Sequence, residues 1–379
     1  MPTPEPFADP VYVTRPLLPS LAEYSERLES VWNAKWLTNN GAQHQALEHA
    51  LAEYLHAPYL SLFANGTLAL LAACKIFELE GEAITTAFTF PATPHALVWA
   101  GLAPVFVDVD PRTMTIDPRH VEAAITPRTS VIVGVHVYGI PCDVEALAAI
   151  AARHRLRLIY DGAHAFGTAV DGIPLCEFGD ATMLSFHATK LFHTAEGGAL
   201  IVRDAPTKER VDLTRNFGIR SEAEVELAGI NAKMSELAAA LGLAVMPHLV
   251  AERACRAAIA AVYDAALAKV PGITTVRPSA RATDSLQYYV VRIDASRAGC
   301  SRDQLYDRLK HFNVFTRKYF HPLASDYACY RGLPSAAADR LPVARRVAAE
   351  VLCLPLYGAL ALADAARICT MIEHCLNNA

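Results

Sequence analysis

Residues 59–202 alternate between short apolar runs and segments with helical spacing, and this alternation constrains the fold more than any other feature. The runs at 130–137 and 181–186 are apolar at most positions. Strands that are apolar on both sides belong to parallel sheets, whose two faces are covered by helices. Because parallel strands need long crossover connections, the alternation predicts an α/β domain built on a parallel sheet.

Residues that could bind a ligand or take part in a reaction come just after several of these predicted strands. In parallel sheets, ligands bind at the carboxyl ends of the strands, which meet at one edge. Five residues at such positions therefore predict a ligand site at that edge: Gly66, Phe90, Asp161, Ser185 and Lys190.

Lys190 lies in a loop between two apolar runs, at 181–186 and 199–202. A lone loop lysine is usually solvated, but a lysine in a desolvated pocket can lose its proton and add to an aldehyde as a Schiff base. Sites for pyridoxal 5'-phosphate (PLP) need such a lysine, a carboxylate for the pyridinium nitrogen and a phosphate-binding turn. Asp161 is a candidate for the carboxylate, and the Asn-Gly-Thr turn at 65–67 is a candidate for the phosphate site, because it joins a predicted strand to a helix.

The length of 379 residues allows one large and one smaller domain. From about residue 248 onward, strands and helices alternate less regularly than before. We therefore predict an N-terminal arm and a large domain over residues 1–247, followed by a small α/β domain over residues 248–379.

Charge and hydropathy exclude several classes of partner. The net charge is −5 and no basic run is present, so no nucleic-acid partner is expected. The first residues do not resemble a signal peptide, and the longest apolar stretch, at 237–246, is too short to cross a bilayer. No membrane contact is therefore expected. Nine cysteines without a C-x-x-C pair predict reduced thiols of a cytoplasmic protein, with no metal site.

Four motifs carry a family resemblance: DGAHAFG at 161–167, SFHATK at 185–190, EGGA at 196–199 and GINAKMSE at 229–236. In this order and spacing, the chain resembles the DegT/DnrJ/EryC1/StrS family of PLP-dependent sugar aminotransferases over nearly its whole length. The resemblance implies PLP fold type I, that of the aspartate aminotransferase superfamily. That fold has a mostly parallel seven-stranded sheet covered by helices and a smaller C-terminal α/β domain.

The resemblance also implies a role for each candidate. Lys190 is the lysine that bonds PLP and moves protons, and Asp161 is the carboxylate that keeps the ring nitrogen protonated. The other cofactor-binding positions are two residues of the phosphate turn, the stacking aromatic ring, the neighbour of the ring oxygen and a hydroxyl donor: Gly66, Thr67, Phe90, His164 and Ser185.

Asn231 matches the asparagine that reaches the phosphate of the neighbouring subunit's cofactor in this family. The resemblance thus implies a homodimer with shared active sites. The alternative is that Asn231 is the N-cap of the long helix predicted over residues 231–246.

The resemblance implies transfer of an amino group from L-glutamate to C4 of dTDP-4-keto-6-deoxyglucose, in the biosynthesis of deoxysugars for O-antigen or lipopolysaccharide. Amination at C3 of a 3-keto-6-deoxysugar nucleotide is the alternative, and a non-catalytic PLP-binding regulator is a third possibility. The predicted substrate-binding residues are those of an early turn and of a basic loop that could equally be plain surface: Thr38, Asn39, Lys318, Tyr319 and His321.

Overall fold

The computed structural model describes residues 3–377. Its strands in the first part of the chain are β1 Val11–Tyr12, β2 Leu60–Phe63, β3 Glu82–Thr86, β4 Ala103–Val107, β5 Thr129–Val135, β6 Arg157–Asp161, β7 Ala169–Val170, β8 Ile173–Pro174, β9 Ala181–Ser185 and β10 Gly198–Val202. The later strands are β11 Ile219–Ser221, β12 Glu224–Val225, β13 Ile273–Val276, β14 Tyr289–Ile293, β15 Val314–Phe315 and β16 Val351–Leu354.

The α-helices fall mainly between these strands. They are α1 Leu21–Ala34, α2 Ala42–Tyr54, α3 Gly66–Ile76, α4 Ala92–Trp99, α5 Pro118–Ala123, α6 Val144–His154, α7 Ala205–Thr214, α8 Glu236–Val245, α9 Leu249–Leu267, α10 Ala295–Ala298, α11 Arg302–Lys310, α12 Pro342–Glu350 and α13 Leu362–Asn377.

The central sheet has seven strands in the order β2-β10-β9-β6-β5-β3-β4. Its strands run parallel except β10, which pairs antiparallel with both neighbours. Both faces are covered: Val131 and Val133 pack in a core with α3 and α4, whereas Ile132 between them packs in another core with α6. The prediction of a mostly parallel, doubly covered seven-stranded sheet is therefore confirmed.

The C-terminal part has its own antiparallel sheet, β13-β14-β16, packed with α9, α11 and α13. The N-terminal arm joins this part, since Phe7 and Val11 lie in its core and β1 pairs with β15. The arm therefore contacts the C-terminal part as well as preceding the large sheet. The domain boundary at residues 247 and 248 stays a prediction.

The helical run Glu236–Leu267 is long and apolar enough, by length and composition, to cross a membrane. It consists of α8 and α9, joined by a 3-10 turn at Met246–His248. Its α9 part buries an ion pair in which Arg256 Nε lies 2.6 Å from Glu252 Oε1. The two helices pack against α1, α2 and α13, so they are core helices of a soluble chain.

Candidate active site

A cavity of about 250 Å³ opens at the carboxyl ends of the parallel strands. The sheet topology brings most of the predicted residues to its wall: Gly66, Thr67, Phe90, Asp161, His164, Ser185, Lys190 and Tyr319. The wall does not include Thr38, Asn39, Asn231, Lys318 or His321. The predicted set thus falls into two groups in one chain.

Asp161 is the last residue of β6 and is 4% exposed. Its Oδ2 accepts a hydrogen bond from Thr93 Oγ1 at 2.7 Å, and its Oδ1 accepts one from the Ala163 N–H at 3.0 Å. Burial raises the pKa of this carboxyl, while the two hydrogen bonds and the charge of Lys190 lower it. A cationic group in the cavity would therefore gain a fixed, desolvated carboxylate as its partner.

Thr93 fixes this carboxylate and was missed by sequence reasoning. Its hydroxyl proton goes to Asp161, so the Thr89 hydroxyl, 2.8 Å away, donates to Thr93 in turn. Both threonines are buried on or just before α4. The signal available in the sequence was a pair of hydroxyl residues four positions apart in otherwise apolar text.

Lys190 enters the cavity from the loop between β9 and β10. Desolvation lowers the pKa of its amine to about 8, against the opposing effect of Asp161. A lysine with this pKa has a neutral, nucleophilic fraction near physiological pH, which an exposed lysine lacks.

His164 is buried among aromatic rings and is held in one tautomer. Its Nδ1 accepts a hydrogen bond from the Tyr138 N–H at 3.1 Å, so the proton of the neutral ring is on Nε2. Burial lowers the pKa of the imidazole well below its usual value. His164 is thus a neutral hydrogen-bond donor at the cavity wall, packed edge-to-face against Tyr288 at 5.1 Å.

The predicted phosphate turn opens α3, where Asn65 caps the helix by accepting the Leu68 N–H at 2.9 Å. A helix N-terminus directs free N–H groups and partial positive charge toward an anion. Gly66 packs tightly there, because a Cβ would lie 2.8 Å from Met183 Sδ. Ser185, the last residue of β9, lines the same end of the cavity.

Phe90 is 56% exposed although it belongs to a strongly apolar segment. A side chain this exposed does not serve as packing in the hydrophobic core. An exposed aromatic face at a cavity wall offers a stacking surface to a flat ring. Together with the anion turn, the buried carboxylate and the amine of lowered pKa, it completes a donor set that fits PLP.

Of the predicted residues outside this cavity, Thr38 and Asn39 lie in the turn between α1 and α2. Asn39 and Asn40 both have positive φ, of 64° and 59°, and line a separate surface cavity of about 400 Å³. Buried Glu236 holds this turn in place, because its carboxylate accepts the Gln43 N–H at 2.8 Å and the His44 N–H at 3.0 Å. Thr38 is exposed beside them.

Asn231 lies near the second cavity, which Asn39 lines, and does not cap a helix. It forms an isolated bridge with Asn216, a residue that lines the second cavity. The helix predicted to begin at residue 231 begins at Glu236 instead, with Ser235 as its N-cap. The capping alternative for Asn231 is therefore wrong, and its exposed amide has no structural task in the helix.

In the basic loop, Tyr319 lines the Lys190 cavity but Lys318 does not. Lys318 Nζ lies 2.5 Å from Asp303 Oδ1 and 4.2 Å from the centre of the Tyr306 ring. His321 is exposed. The same loop supplies Phe320, which sequence reasoning left out of the predicted site although it included the neighbouring Tyr319. The substrate-binding roles stay predictions.

Comparisons with known proteins agree with this geometry. The family model described as the DegT/DnrJ/EryC1/StrS aminotransferase family matches residues 21–373. The chain is 45% identical over 350 residues to the dTDP-4-amino-4,6-dideoxy-D-glucose transaminase of Escherichia coli, covering 91% of this chain and 93% of the relative. It is 32% identical to the spore coat polysaccharide biosynthesis protein SpsC of Bacillus subtilis (strain 168), covering 90% of each.

Solved structures have the same fold. The crystal structure of DesI with its TDP-sugar product superimposes with a TM-score of 0.94 at 39% identity, covering 98% of this chain and 94% of DesI. The structure of DesV from S. venezuelae with a ketimine intermediate gives a TM-score of 0.86 at 28% identity, covering 94% of each chain.

Proposed function

Because the chain belongs to the DegT/DnrJ/EryC1/StrS aminotransferase family, we propose that it transfers an amino group from L-glutamate to C4 of dTDP-4-keto-6-deoxyglucose. The name of the E. coli relative, with 45% identity over 91% of this chain, supports the sugar and the position. The observation that carries the chemistry is the meeting of Lys190 and Asp161 in one cavity beside a helix N-terminus.

When bound, PLP supplies an electron sink for the carbon that loses its proton. Gly66, Thr67 and Ser185 would hold its phosphate, and Phe90 would stack on its ring. Asp161 would keep the ring nitrogen protonated, since a carboxylate fixed by Thr93 and shielded from water strongly favours a cation beside it.

Lys190 is the proposed acid and base. A base must be neutral to accept a proton and an acid must be charged to return it, so the best pKa lies near the working pH. Desolvation brings the pKa of Lys190 to about 8, where both forms are populated. The Nε2–H of neutral His164 would donate a hydrogen bond to the ligand without competing for that proton.

We also propose a homodimer in which each site is completed by the other chain. Asn231 and the cavity beside Asn39 lie apart from Lys190 in one chain, and a two-fold axis can bring them to the partner's cavity. Large apolar side chains near the turn between α1 and α2 are exposed in the single chain, as expected of an interface: Trp32, Trp36 and Leu37. The free thiols support a cytoplasmic location.

Product identification tests the reaction. The protein is incubated with PLP, L-glutamate and dTDP-4-keto-6-deoxyglucose, and the product is identified by NMR. We expect a 4-amino sugar. No product from this sugar, together with an amine at C3 in a parallel incubation with a 3-keto-6-deoxysugar nucleotide, would replace the proposal with the C3 alternative.

A second measurement addresses the regulator alternative. Glutamate should abolish the visible band of the bound cofactor in the wild-type protein and in Lys269→Ala, which removes an exposed lysine. In Lys190→Ala the visible absorption should shift as the amine of glutamate condenses with the cofactor's aldehyde, but it should not be lost, because the proton transfer that follows has no base. A wild-type band that does not respond to glutamate would mean binding without turnover.

A further inference from the structure

We propose that Gln287 is a positioning residue for Lys190. It acts from the C-terminal part of the chain on the backbone of the loop between β9 and β10 that carries Lys190, here called the lysine loop. The inference rests on the proposed function, since it gives Lys190 a proton-transfer role. Gln287 itself does not line the cavity.

The side-chain amide of Gln287 bonds to both residues that flank Lys190. Its Oε1 accepts the Leu191 N–H at 2.8 Å, and its Nε2 donates to the Thr189 carbonyl at 2.9 Å. Gln287 is 2% exposed, so neither bond is exchanged freely with water. The peptide groups before and after the lysine are therefore fixed by one side chain, which sets the direction in which Lys190 leaves the backbone.

The segment that carries Gln287 is locally strained. Leu286 has a φ of 56°, in the left-handed region that a residue with a branched side chain rarely adopts. Such a conformation costs about 1–3 kcal/mol and persists only where surrounding contacts enforce it. Here Asp284 Oδ1 accepts the Leu286 N–H at 2.8 Å, and Ser285 Oγ accepts the Gln287 N–H at 3.2 Å.

Two arginines of α9 hold the carbonyls of the same segment. Arg253 Nη2 donates to the Asp284 carbonyl at 2.8 Å, and Arg256 Nη1 donates to the Leu286 carbonyl at 3.2 Å. Arg256 is 1% exposed and is paired with Glu252. The left-handed turn is thus fixed from both sides, and it aims Gln287 at the lysine loop while the next residue, Tyr288, lines the cavity.

The amide supplies both the acceptor and the donor that these two backbone groups need. A carboxylate in its place could accept from Leu191 but would repel the Thr189 carbonyl, and an aliphatic chain would leave both groups buried without partners. Proton transfer is sensitive to such changes, because a misplacement of about 1 Å can cost on the order of 100-fold in rate.

Hydrogen exchange in the cofactor-free protein tests the contact itself. Gln287→Leu keeps the side-chain volume roughly constant and removes both bonds. We expect faster exchange in the peptide that contains Lys190 and Leu191. The matched control is Tyr263→Phe, which removes a buried bond to the Pro355 carbonyl within the C-terminal core and should leave that peptide unchanged. Equal exchange of the lysine loop in Gln287→Leu and wild type would overturn the inference.

A double-mutant cycle tests the route through Lys190. Gln287→Leu should lower kcat by about tenfold or more with little change in the KM for the sugar. In the Lys190→Ala background, with the rate restored by added methylamine, the same substitution should have almost no effect, because no tethered amine remains to be positioned. Equal factors in both backgrounds would mean that Gln287 acts on folding or on substrate binding instead.

The two proposals fail in different ways. Absence of the 4-amino sugar with the wild-type protein would end the proposed function, and retained transamination in Lys190→Ala would end the role of Lys190 on which Gln287 is proposed to act. An inactive Lys190→Ala together with wild-type kinetics in Gln287→Leu would remove only the role of Gln287. The more conservative Gln287→Glu covers the case in which Gln287→Leu does not fold, and it should show an intermediate loss.

Discussion

The cavity around Lys190 and the surface cavity beside Asn39 are built by different means. In the first, Asp161 and Ser185 are the last residues of neighbouring parallel strands, and the register, which pairs Asp161 with Met183, brings both strand ends to the same edge of the sheet. In the second, Asn39 and Asn40 belong to a turn that is held by Glu236, almost two hundred residues later in the chain. The first cavity has a buried carboxylate and a lysine of lowered pKa within one chain, whereas the second has Lys208, which lies 2.8 Å from Asp212 and whose pKa is raised, against the effect of desolvation, by this carboxylate and by Glu48.

This difference suggests that the Lys190 cavity carries out the chemistry, whereas the residues beside Asn39 complete the site of the partner chain. If the division holds, substitutions in the first cavity should affect the rate per bound cofactor. Substitutions in the second should affect binding, and the partner chain should be able to compensate for them.

Loss of Lys190 should have the largest effect. In Lys190→Ala, transamination should fall below detection, because neither the covalent bond nor the proton transfer has a substitute. PLP should still be captured by Gly66, Thr67, Ser185 and Phe90, which can be measured as cofactor retained after gel filtration. Turnover near the wild-type rate would contradict the assignment.

Asp161→Asn should have the second-largest effect on the rate. We expect the rate to fall by roughly 100-fold or more while PLP remains bound, since the carboxylate acts on the electronics of the ring more than on its affinity. Asp171→Asn removes an exposed carboxylate paired with Arg281 and is the matched control. A variant that lost PLP but kept its rate per bound cofactor would give Asp161 a binding role only.

A pH-dependent stability difference should be smaller but measurable. The pKa of Lys190 is lowered by burial to about 8, so between that value and the ordinary lysine pKa the unfolded chain binds more protons than the folded one. Stability from this group therefore rises as pH rises through that window. Cofactor-free Lys190→Met should be more stable than wild type at pH 7, and the gain should shrink toward pH 10. If the free energies of unfolding in urea changed with pH by the same amount in both proteins, the amine of Lys190 would be solvated in the folded chain.

The smallest expected effect is a difference in unfolding free energy between substitutions at Ser235 and at Asn231. Ser235→Ala should cost about 1 kcal/mol of unfolding free energy, because the hydroxyl accepts the Ala238 N–H at the start of α8. Asn231→Asp should leave stability nearly unchanged. Urea denaturation of both variants provides the comparison, and a larger loss in Asn231→Asp would give this residue a structural role.

The contrast between the cavities also explains what could be predicted from sequence. Apolar runs that end in Asp161 or Ser185 specify both the strand and the edge at which its last residue lies. Tyr288 and Phe320 come from irregular segments of the C-terminal part, whose positions depend on long-range contacts such as those of Arg253 and Arg256. No local period encodes such contacts.

The start of α8 shows the same limit on a smaller scale. Asn231 and Ser235 are both good N-cap residues, and apolar residues follow both in the sequence. The bridge between Asn231 and Asn216 decides between them, and that contact lies outside any local window.

Mixed dimers test the shared site most directly. Lys190→Ala chains and Asn231→Asp chains are each expected to be nearly inactive, the second because a carboxylate would repel the phosphate of the partner's cofactor at limiting PLP. Random mixing should restore roughly a quarter of the wild-type activity, because half of the dimers are mixed and each of these has one site with an intact Lys190 and an intact Asn231. No gain above the two parents, together with full PLP occupancy in the Asn231→Asp protein, would show that each chain builds its site alone.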